Sequence, residues 1–396
     1  MLPAKSTYSN ELLAGLTVAF ALVPEALAFS VIAGLSPVTG LLSAFVIGLV
    51  TSVLGTRAGM ISGATGAVAV ILAPVTRGHG VEYVFATVIG AGLLQLVAGL
   101  AGLGRYTRLL TPPVITGFMN GLAIIIFLSQ IAQFKYFDHD DVVHWLPPAQ
   151  LLLTLGVSVA AIAIIVLVPR LTKRIPSALV AIVLLTCIAA IARLPLRSIG
   201  DIAVLHTTLP GFHIPRIIGG WPGLSVVLPY SAAMAAVGSI ESLLTLLMLD
   251  RLQNKLSSPR KELLVQGFTN LCSGFLSGMG GCAMTGQTRL NLDSGGTTRV
   301  SGLTASLLLL IFVLFAAPLV QRIPLAALSG VMFMIAFNTF RWDSLRPDPS
   351  QPVRDTMIMA GVTLISVVSE NLALGVIAGV AASAVACGNN RSTLKK

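Results

Sequence analysis

Residues 59–68 of the chain read GMISGATGAV, which places three glycines and two hydroxyl side chains inside a strongly apolar sequence. Of the 396 residues, 55% are hydrophobic and only 10% are charged. Soluble domains carry about 25% charged residues, so this composition is typical of a polytopic integral membrane protein. Glycines and hydroxyls at membrane depth then need an explanation, because they weaken a helix that faces lipid.

Fourteen apolar stretches approach the roughly 20 residues that a helix needs to cross the hydrocarbon. Two of them, near residues 60–76 and 282–296, are short and relatively polar. With a cytoplasmic N-terminus, eighteen Lys and Arg residues fall on the cytoplasmic side and six on the opposite side, as the positive-inside rule expects. We therefore predict fourteen crossings, with both termini cytoplasmic.

The second short stretch begins with GMGGCAMTG at residues 278–286. It is similar to the first stretch at an offset of 220 residues, which aligns Thr285 with Thr65. Two further pairs of segments follow in the same order at offsets of 216 and 213: 24–27 with 240–243, and 113–117 with 324–330. Three pairs of similar segments with nearly equal offsets indicate that a unit of seven spans is duplicated. Because seven is odd, the second copy enters from the opposite side, and the repeats are inverted.

Interrupted helices at matching positions of inverted repeats are typical of secondary transporters, where they form the substrate site. Gly63 and Gly66, with their counterparts Gly280, Gly281 and Gly286, allow the chain to run extended and then to begin a helix near the bilayer centre. The N-terminus of such a helix presents free N–H groups and the positive end of its dipole, which bind anions. Thr65 and Thr285 add hydroxyl donors. The alternative is that these small residues only pack helices together, which is common in membranes.

Two carboxylates, Glu25 and Glu241, occupy matching positions in the repeats. A carboxylate inside a span is costly and is a functional hypothesis by default. Burial disfavours its charged form, which suits reversible protonation coupled to transport. Glu241 and Thr245 share one helix face and form an alternative oxygen site for a cation. The structural alternative is a carboxyl group that is merely hydrogen-bonded to backbone or to a hydroxyl.

The other polar residues have simpler interpretations. Arg289 and Asp293 are spaced to form an ion pair on one helix face, and Asp250 and Glu262 lie in a basic cytoplasmic region where we expect them to be solvated. The four cysteines are expected to be buried packing residues, and neither they nor the five histidines have metal-ligand or catalytic spacing. We therefore predict neither an enzyme nor a cofactor.

Several motifs together resemble the bacterial branch of the sulfate permease family of anion transporters (SulP/SLC26): AFALVPEALAF at 19–29, PPVITGFMNG at 112–121, SIESLLT at 239–245 and GGCAMTGQ at 280–287. The resemblance covers essentially the whole chain. It implies an all-α polytopic membrane protein of 14 transmembrane segments in 7+7 inverted repeats, a fold shared with nucleobase transporters. Segments 3 and 10 are then half-helices.

The resemblance also implies the site. It assigns substrate binding to Ala64, Thr65 and Gly66 on segment 3 and to Ala283, Met284 and Thr285 on segment 10. With Glu25, Phe29, Gly63 and Gly286, these are the expected substrate-binding residues. The residues for the coupling ion are Glu241, Thr245 and Glu25. Glu241 and Thr245 match positions that serve sodium in a bicarbonate-transporting relative whose acid is Asp, and the Glu found here keeps proton coupling open. Gln287 stands where animal members carry an Arg.

A division into core and gate domains follows from the same resemblance. We expect a cytoplasmic N-terminal segment at 1–10, core parts at 11–103 and 224–321, gate parts at 104–193 and 322–388, an extracellular loop at 194–223, and a short cytoplasmic tail at 389–396 without a STAS domain.

The predicted function is secondary active transport of a small inorganic or carboxylate anion, with sulfate or bicarbonate favoured, by an elevator-type movement of core against gate. The coupling ion is H+ or Na+, the membrane is the bacterial plasma (inner) membrane, and the partners are membrane lipid and a second copy of the chain, not nucleic acid. One alternative is an uncoupled anion channel or exchanger. A nucleobase-type carrier is less favoured, because Ala64, Ala283 and Met284 leave a small pocket dominated by donors.

Overall fold

The computed structural model describes residues 8–104, 111–137, 143–171, 176–201, 211–216, 220–315, 317–345, 353–369 and 372–393. Within these ranges the helices are α1 (Tyr8–Ile32), α2 (Pro37–Leu54), α3 (Gly66–His79), α4 (Val81–Leu100), α5 (Pro112–Ile131), α6 (Pro148–Leu171), α7 (Ser177–Ile191), α8 (Trp221–Gln253), α9 (Pro259–Phe275), α10 (Thr285–Asp293), α11 (Arg299–Phe315), α12 (Ala317–Val320), α13 (Leu325–Thr339), α14 (Val353–Val368) and α15 (Leu372–Thr393). The strands are β1 (Ser62–Gly63), β2 (Lys135–Phe137), β3 (Val143–Trp145) and β4 (Cys282–Ala283).

Helices α3 and α10 are too short to cross a membrane. In the described part of the chain, six helices are long and apolar enough to do so, whereas α3 has 14 residues and α10 has 9. At about 1.5 Å per residue, α3 and α10 cover only part of a hydrocarbon core of roughly 30 Å. Each begins just after a short extended segment, as the glycine-rich stretches predict.

The extended segments pair with each other. Strands β1 and β4 are antiparallel, with Ser62 opposite Ala283 and Gly63 opposite Cys282. The pairing satisfies backbone groups that would otherwise be exposed inside the membrane, where no water is available to them. It also places the first turns of α3 and α10 beside each other.

Packing contacts between helices of the two halves have counterparts in which the halves are exchanged. The contact of α1 with α11 corresponds to that of α8 with α4, and the contact of α2 with α11 to that of α9 with α4. In the same way, the contact of α5 with α14 corresponds to that of α13 with α6. Most contacts fall within two groups, one made of α1–α4 with α8–α11 and the other of α5–α7 with α13–α15. We name these the first and second helix groups.

A carboxylate fixes each of two equivalent helix junctions. Glu11 on α1 accepts hydrogen bonds from the N–H groups of Thr297 and Thr298, just before α11, at 2.9 and 3.0 Å. Glu82 on α4 accepts one from the N–H of Arg216, before α8, at 2.8 Å. These bonds to a charged acceptor are stronger than neutral ones, so they hold each helix end against its partner.

Two predictions about acidic residues are wrong. Asp250 is only 8% exposed and accepts hydrogen bonds from Arg57 Nε at 2.9 Å and from the N–H of Ser257 at 2.8 Å. Glu262 is fully buried and accepts one from Gln266 Nε2 at 2.9 Å. The reason is that both carboxylates face the segment between α2 and β1, where Arg57 pairs with Asp250 and Thr56 hydrogen-bonds to Glu262.

The chain ends are helical as far as they are described. Helix α1 already begins at Tyr8 and α15 runs to Thr393, so parts of the predicted 1–10 segment and 389–396 tail are helical, while residues 1–7 and 394–396 lie outside the described ranges. Between α5 and α6, strands β2 and β3 pair antiparallel, which the sequence does not predict. The boundaries of the core and gate domains remain a prediction.

The close pairing of β1 with β4 predicts that residue 281, directly before β4, must be glycine. A Cβ atom at this position would overlap the carbonyl of Gly63, which is backbone and cannot rotate away. We expect Gly281→Ala to lower the thermal midpoint of unfolding in detergent by roughly 5 °C or more. Gly156→Ala on α6 is the matched control, because a Cβ there meets no atom within 4 Å. Equal unfolding midpoints for the two variants would contradict the close approach of residue 281 to Gly63.

Candidate functional site

The first turns of α3 and α10 bring two sets of backbone donors together. The first hydrogen bonds within these helices are donated by the N–H groups of Ala69 and Thr288. The three N–H groups before each of them, at 66–68 and 285–287, therefore have no partner inside their own helix. Free backbone donors at the positive end of a helix dipole favour anion binding without a full positive charge.

A cavity of about 200 Å³ lies against these N-termini. It is lined by nine of the twelve residues that the sequence assigns to the site: Glu25, Phe29, Thr65, Gly66, Glu241, Ala283, Met284, Thr285 and Gly286. The other three, Gly63, Ala64 and Thr245, are buried behind the cavity wall. Residues far apart in sequence thus meet at one place, and the roles assigned to them remain predictions.

Glu25 contacts a residue of the opposite half-helix. Gln287 Nε2 donates a hydrogen bond of 2.8 Å to Glu25 Oε1, which joins α1 to α10 across the cavity. Gln287 also lines the cavity. Sequence reasoning noticed Gln287 only as a departure from animal relatives, because the pairing depends on helix packing and leaves no local signal.

Glu241 lies in a second cluster. Cys282 Sγ donates to Glu241 Oε2 at 2.7 Å and lies 3.5 Å from Thr65 Oγ1. The hydroxyl of Thr245 lies 2.8 Å from that of Thr285 and 2.9 Å from the carbonyl oxygen of Glu241. Glu241 and Thr245 thus both connect to the first residues of the short strand and helix that carry the anion donors.

Cys282 was predicted to be a buried packing residue. It is buried, but its thiol also contacts a carboxylate of the cavity. The sequence held a signal for this position at the site, because Cys282 directly precedes the predicted site residue Ala283 in the segment that aligns with β1.

The charged residues that line the cavity are both acidic. Glu25 and Glu241 contribute carboxyl groups, and Lys, Arg and His are absent from the described lining. Arg289, one turn further along α10, lies 3.5 Å from Asp293 and is 60% exposed. An anion in this cavity therefore has backbone and hydroxyl donors around it, and carboxyl groups close by.

Side chains behind the strands complete the hydrogen bonding of the interrupted backbone. Asn270 Oδ1 accepts from the N–H of Gly281 at 3.0 Å, Ser242 Oγ from that of Ala283 at 3.1 Å, and Ser43 Oγ from that of Met279 at 2.6 Å. On the other half, Asn291 Nδ2 donates to the carbonyl of Gly59 at 2.9 Å. Because these groups are paired, the helix N-termini are left as the donors that face the cavity.

A larger cavity of about 1120 Å³ adjoins the first one and shares Met119 and Leu244 with it. Its wall carries three arginines, namely Arg251, Arg260 and Arg341. All three belong to segments that the positive-inside rule assigns to the cytoplasm. The arrangement provides a basic approach to the small cavity, on the side that the positive-inside rule predicts to be cytoplasmic.

Comparison with known proteins agrees with this architecture. The profile of the Sulfate permease family matches residues 9–347. The chain is 38% identical over 376 residues to the putative sulfate transporter YbaR of Bacillus subtilis, which covers 95% of this chain and 76% of YbaR. It is 32% identical over 392 residues to the bicarbonate transporter BicA of Picosynechococcus sp., which covers 91% of this chain and 67% of BicA.

A solved structure gives the same result for the fold. The transmembrane domain of a cyanobacterium bicarbonate transporter BicA superposes with a TM-score of 0.80 at 29% identity, covering 96% of this chain and 99% of that one. This match confirms the fold class predicted from the sequence, which is an all-α polytopic membrane protein with fourteen segments in 7+7 inverted repeats.

Gly286 provides a test of the cavity. A Cβ atom at this residue meets no protein atom within 4 Å, so Gly286→Ala should fold normally while its methyl group occupies space beside the free N–H groups of α10. We expect the affinity for the bound anion to fall by about tenfold or more, as measured by calorimetry or a binding assay on purified protein. Gly361→Ala on α14, where the added atom also meets nothing, is the control. Unchanged affinity in Gly286→Ala would exclude this cavity as the anion site.

Proposed function

The chain belongs to the sulfate permease family, and on that basis we propose that it is a secondary active transporter of a small anion, with sulfate or bicarbonate as substrate. The observation that carries the proposal is the pair of half-helix N-termini opening on one cavity. The relatives named above, one a putative sulfate transporter and one a bicarbonate transporter, support the same substrate class.

Coupling to a cation follows from the charges in the cavity. An anion that enters meets Glu25 and Glu241 and no basic side chain in the described lining. Negative charges that share a poorly solvated cavity without a cation repel one another and lose hydration. A proton or a sodium ion that enters with the anion removes this conflict, so we infer that H+ or Na+ drives uptake.

The cavity walls support an elevator-type mechanism. The polar groups of the cavity come almost entirely from α1, α3, α8 and α10, which belong to the first helix group. The second group contributes mainly apolar side chains: Met119, Leu122 and Ile126 on α5, and Ile335 on α13, beside the hydroxyl of Thr339. An anion held by one group and facing an apolar wall of the other can travel with the first group as it slides.

The protein's setting is proposed on the same grounds. We place it in the bacterial plasma membrane with both termini cytoplasmic, surrounded by lipid and assembled with a second copy of the chain. The basic cavity beside Met119 and Leu244 supports a conformation in which the site communicates with the cytoplasm.

Uptake into proteoliposomes tests the proposal. We expect labelled sulfate or bicarbonate to accumulate when an inward H+ or Na+ gradient is imposed. Replacing the coupling carboxylate, by Glu25→Gln for H+ or Glu241→Gln for Na+, should reduce this accumulation at least about tenfold while anion exchange persists. Asp293→Asn, which changes an exposed carboxylate on α10, is the matched control and should behave like wild type.

Two outcomes would contradict the proposal. One is the absence of uptake for any small anion under every gradient. The other is a large anion current that neither Glu25→Gln nor Glu241→Gln alters, which is the behaviour of an uncoupled channel.

A further inference from the structure

Two buried oxygen atoms at the cavity lack a hydrogen-bond partner. Gln287 Nε2 donates to Glu25 Oε1 at 2.8 Å, but Glu25 Oε2 and Gln287 Oε1 are both buried and unpaired among the described residues. Buried acceptors without a donor cost free energy, so such atoms usually mark a missing partner or a second state. Both residues line the cavity in which we place the anion.

The amide of Gln287 has two ends with opposite character. Its Nε2 end carries two donors and its Oε1 end only accepts. An ionised Glu25 can only accept, so it binds the Nε2 end, which is the arrangement observed at 2.8 Å. A protonated Glu25 gains an O–H donor and can bind the Oε1 end instead. A half-turn of the terminal amide exchanges the two ends without moving the rest of the side chain.

We infer that Gln287 is a positioning residue that couples protonation of Glu25 to anion affinity by reversing this amide. When a proton binds Glu25 Oε1, the new O–H donates to Gln287 Oε1, and the Nε2 donors turn toward the cavity. When the proton is released to water, the Nε2 end of Gln287 turns back to Glu25. The acceptor Oε1 of Gln287 then takes the place of the donors that had turned toward the cavity. One O–H bond forms and breaks per cycle, and no other covalent bond changes.

The position of Gln287 makes the reversal effective. It is the third residue of α10, is only 6% exposed and lines the cavity, so it belongs to the same helix turn as the free N–H groups of residues 285–287. In the protonated state, the Nε2 donors therefore add to the donors of the helix N-terminus. In the ionised state, the same helix turn carries an acceptor that repels the anion.

Few other charged groups face Glu25. Glu241 is the other titratable group of the cavity lining, with the Cys282 thiol behind it. Among the helices packed on α1, helices α2, α7 and α13 carry no charged side chain within their described bounds. Those on α3, α10, α11 and α1 itself lie outside the cavity lining: Arg77, His79, Arg289, Asp293, Arg299 and Glu11.

The inference rests on the proposed function and is tested by sulfate binding to purified protein between roughly pH 5.5 and 8, and by bicarbonate binding referred to the concentration of the bicarbonate ion itself at each pH. We expect wild-type affinity to fall as the pH rises. Gln287→Leu, which keeps a similar volume but has no donor, should bind about tenfold more weakly at low pH and lose most of the pH dependence. Glu25→Gln mimics the protonated acid and should bind with the low-pH affinity at every pH. The double variant should resemble Gln287→Leu.

The outcomes separate the two claims. If wild-type protein neither binds nor transports any small anion, the proposed function fails. If it transports an anion but Gln287→Leu keeps the wild-type pH profile, or if Glu25→Gln binds weakly at all pH values, the amide reversal is wrong while the proposed function stands. Gln287→Met repeats the test with a flexible side chain, so the result does not depend on one variant folding.

Discussion

The structure depends on the pairing of backbone groups where two helices are interrupted inside the membrane. An N–H or C=O group without a partner is costly at this depth, because lipid supplies no hydrogen bonds. Strands β1 and β4 satisfy each other, and Asn270, Ser242 and Ser43 satisfy the residues around them. Among the described residues of this region, the first turns of α3 and α10 keep N–H groups without a partner in their own helix, and Gly66, Thr285, Gly286 and Gln287 of these turns line the cavity.

This constraint also explains the character of the site. Donors come from backbone at the start of α3 and α10, so the cavity can attract an anion without a lysine or arginine in its described lining. Glu25 and Glu241 can then share the cavity with the anion, provided that a cation accompanies it. In the proposed mechanism, a basic side chain in their place would attract the anion in every state, whereas a carboxyl group that gains and loses a proton changes the anion affinity during the cycle.

The sequence predicts the parts of this arrangement that have local or periodic signals. Apolar runs predict the spans, and glycines predict the interruptions. The internal repeat aligns Thr65 with Thr285 before any fold is known. The bond between Gln287 and Glu25, the thiol contact of Cys282, and the burial of Asp250 and Glu262 could not be predicted in this way. Each depends on how segments distant in sequence pack. The charge pattern near residues 250–262 indicated solvent exposure, because nothing local in the sequence shows that Thr56 and Arg57 contact the two carboxylates.

The central claim is that an anion binds between the N-termini of α3 and α10. A structure of the protein determined with the anion that it transports fastest tests this directly. The account predicts density for the anion within hydrogen-bonding distance of backbone N–H groups at 66–68 and 285–287. Density confined to the arginines of the larger cavity, at Arg251, Arg260 and Arg341, would contradict it.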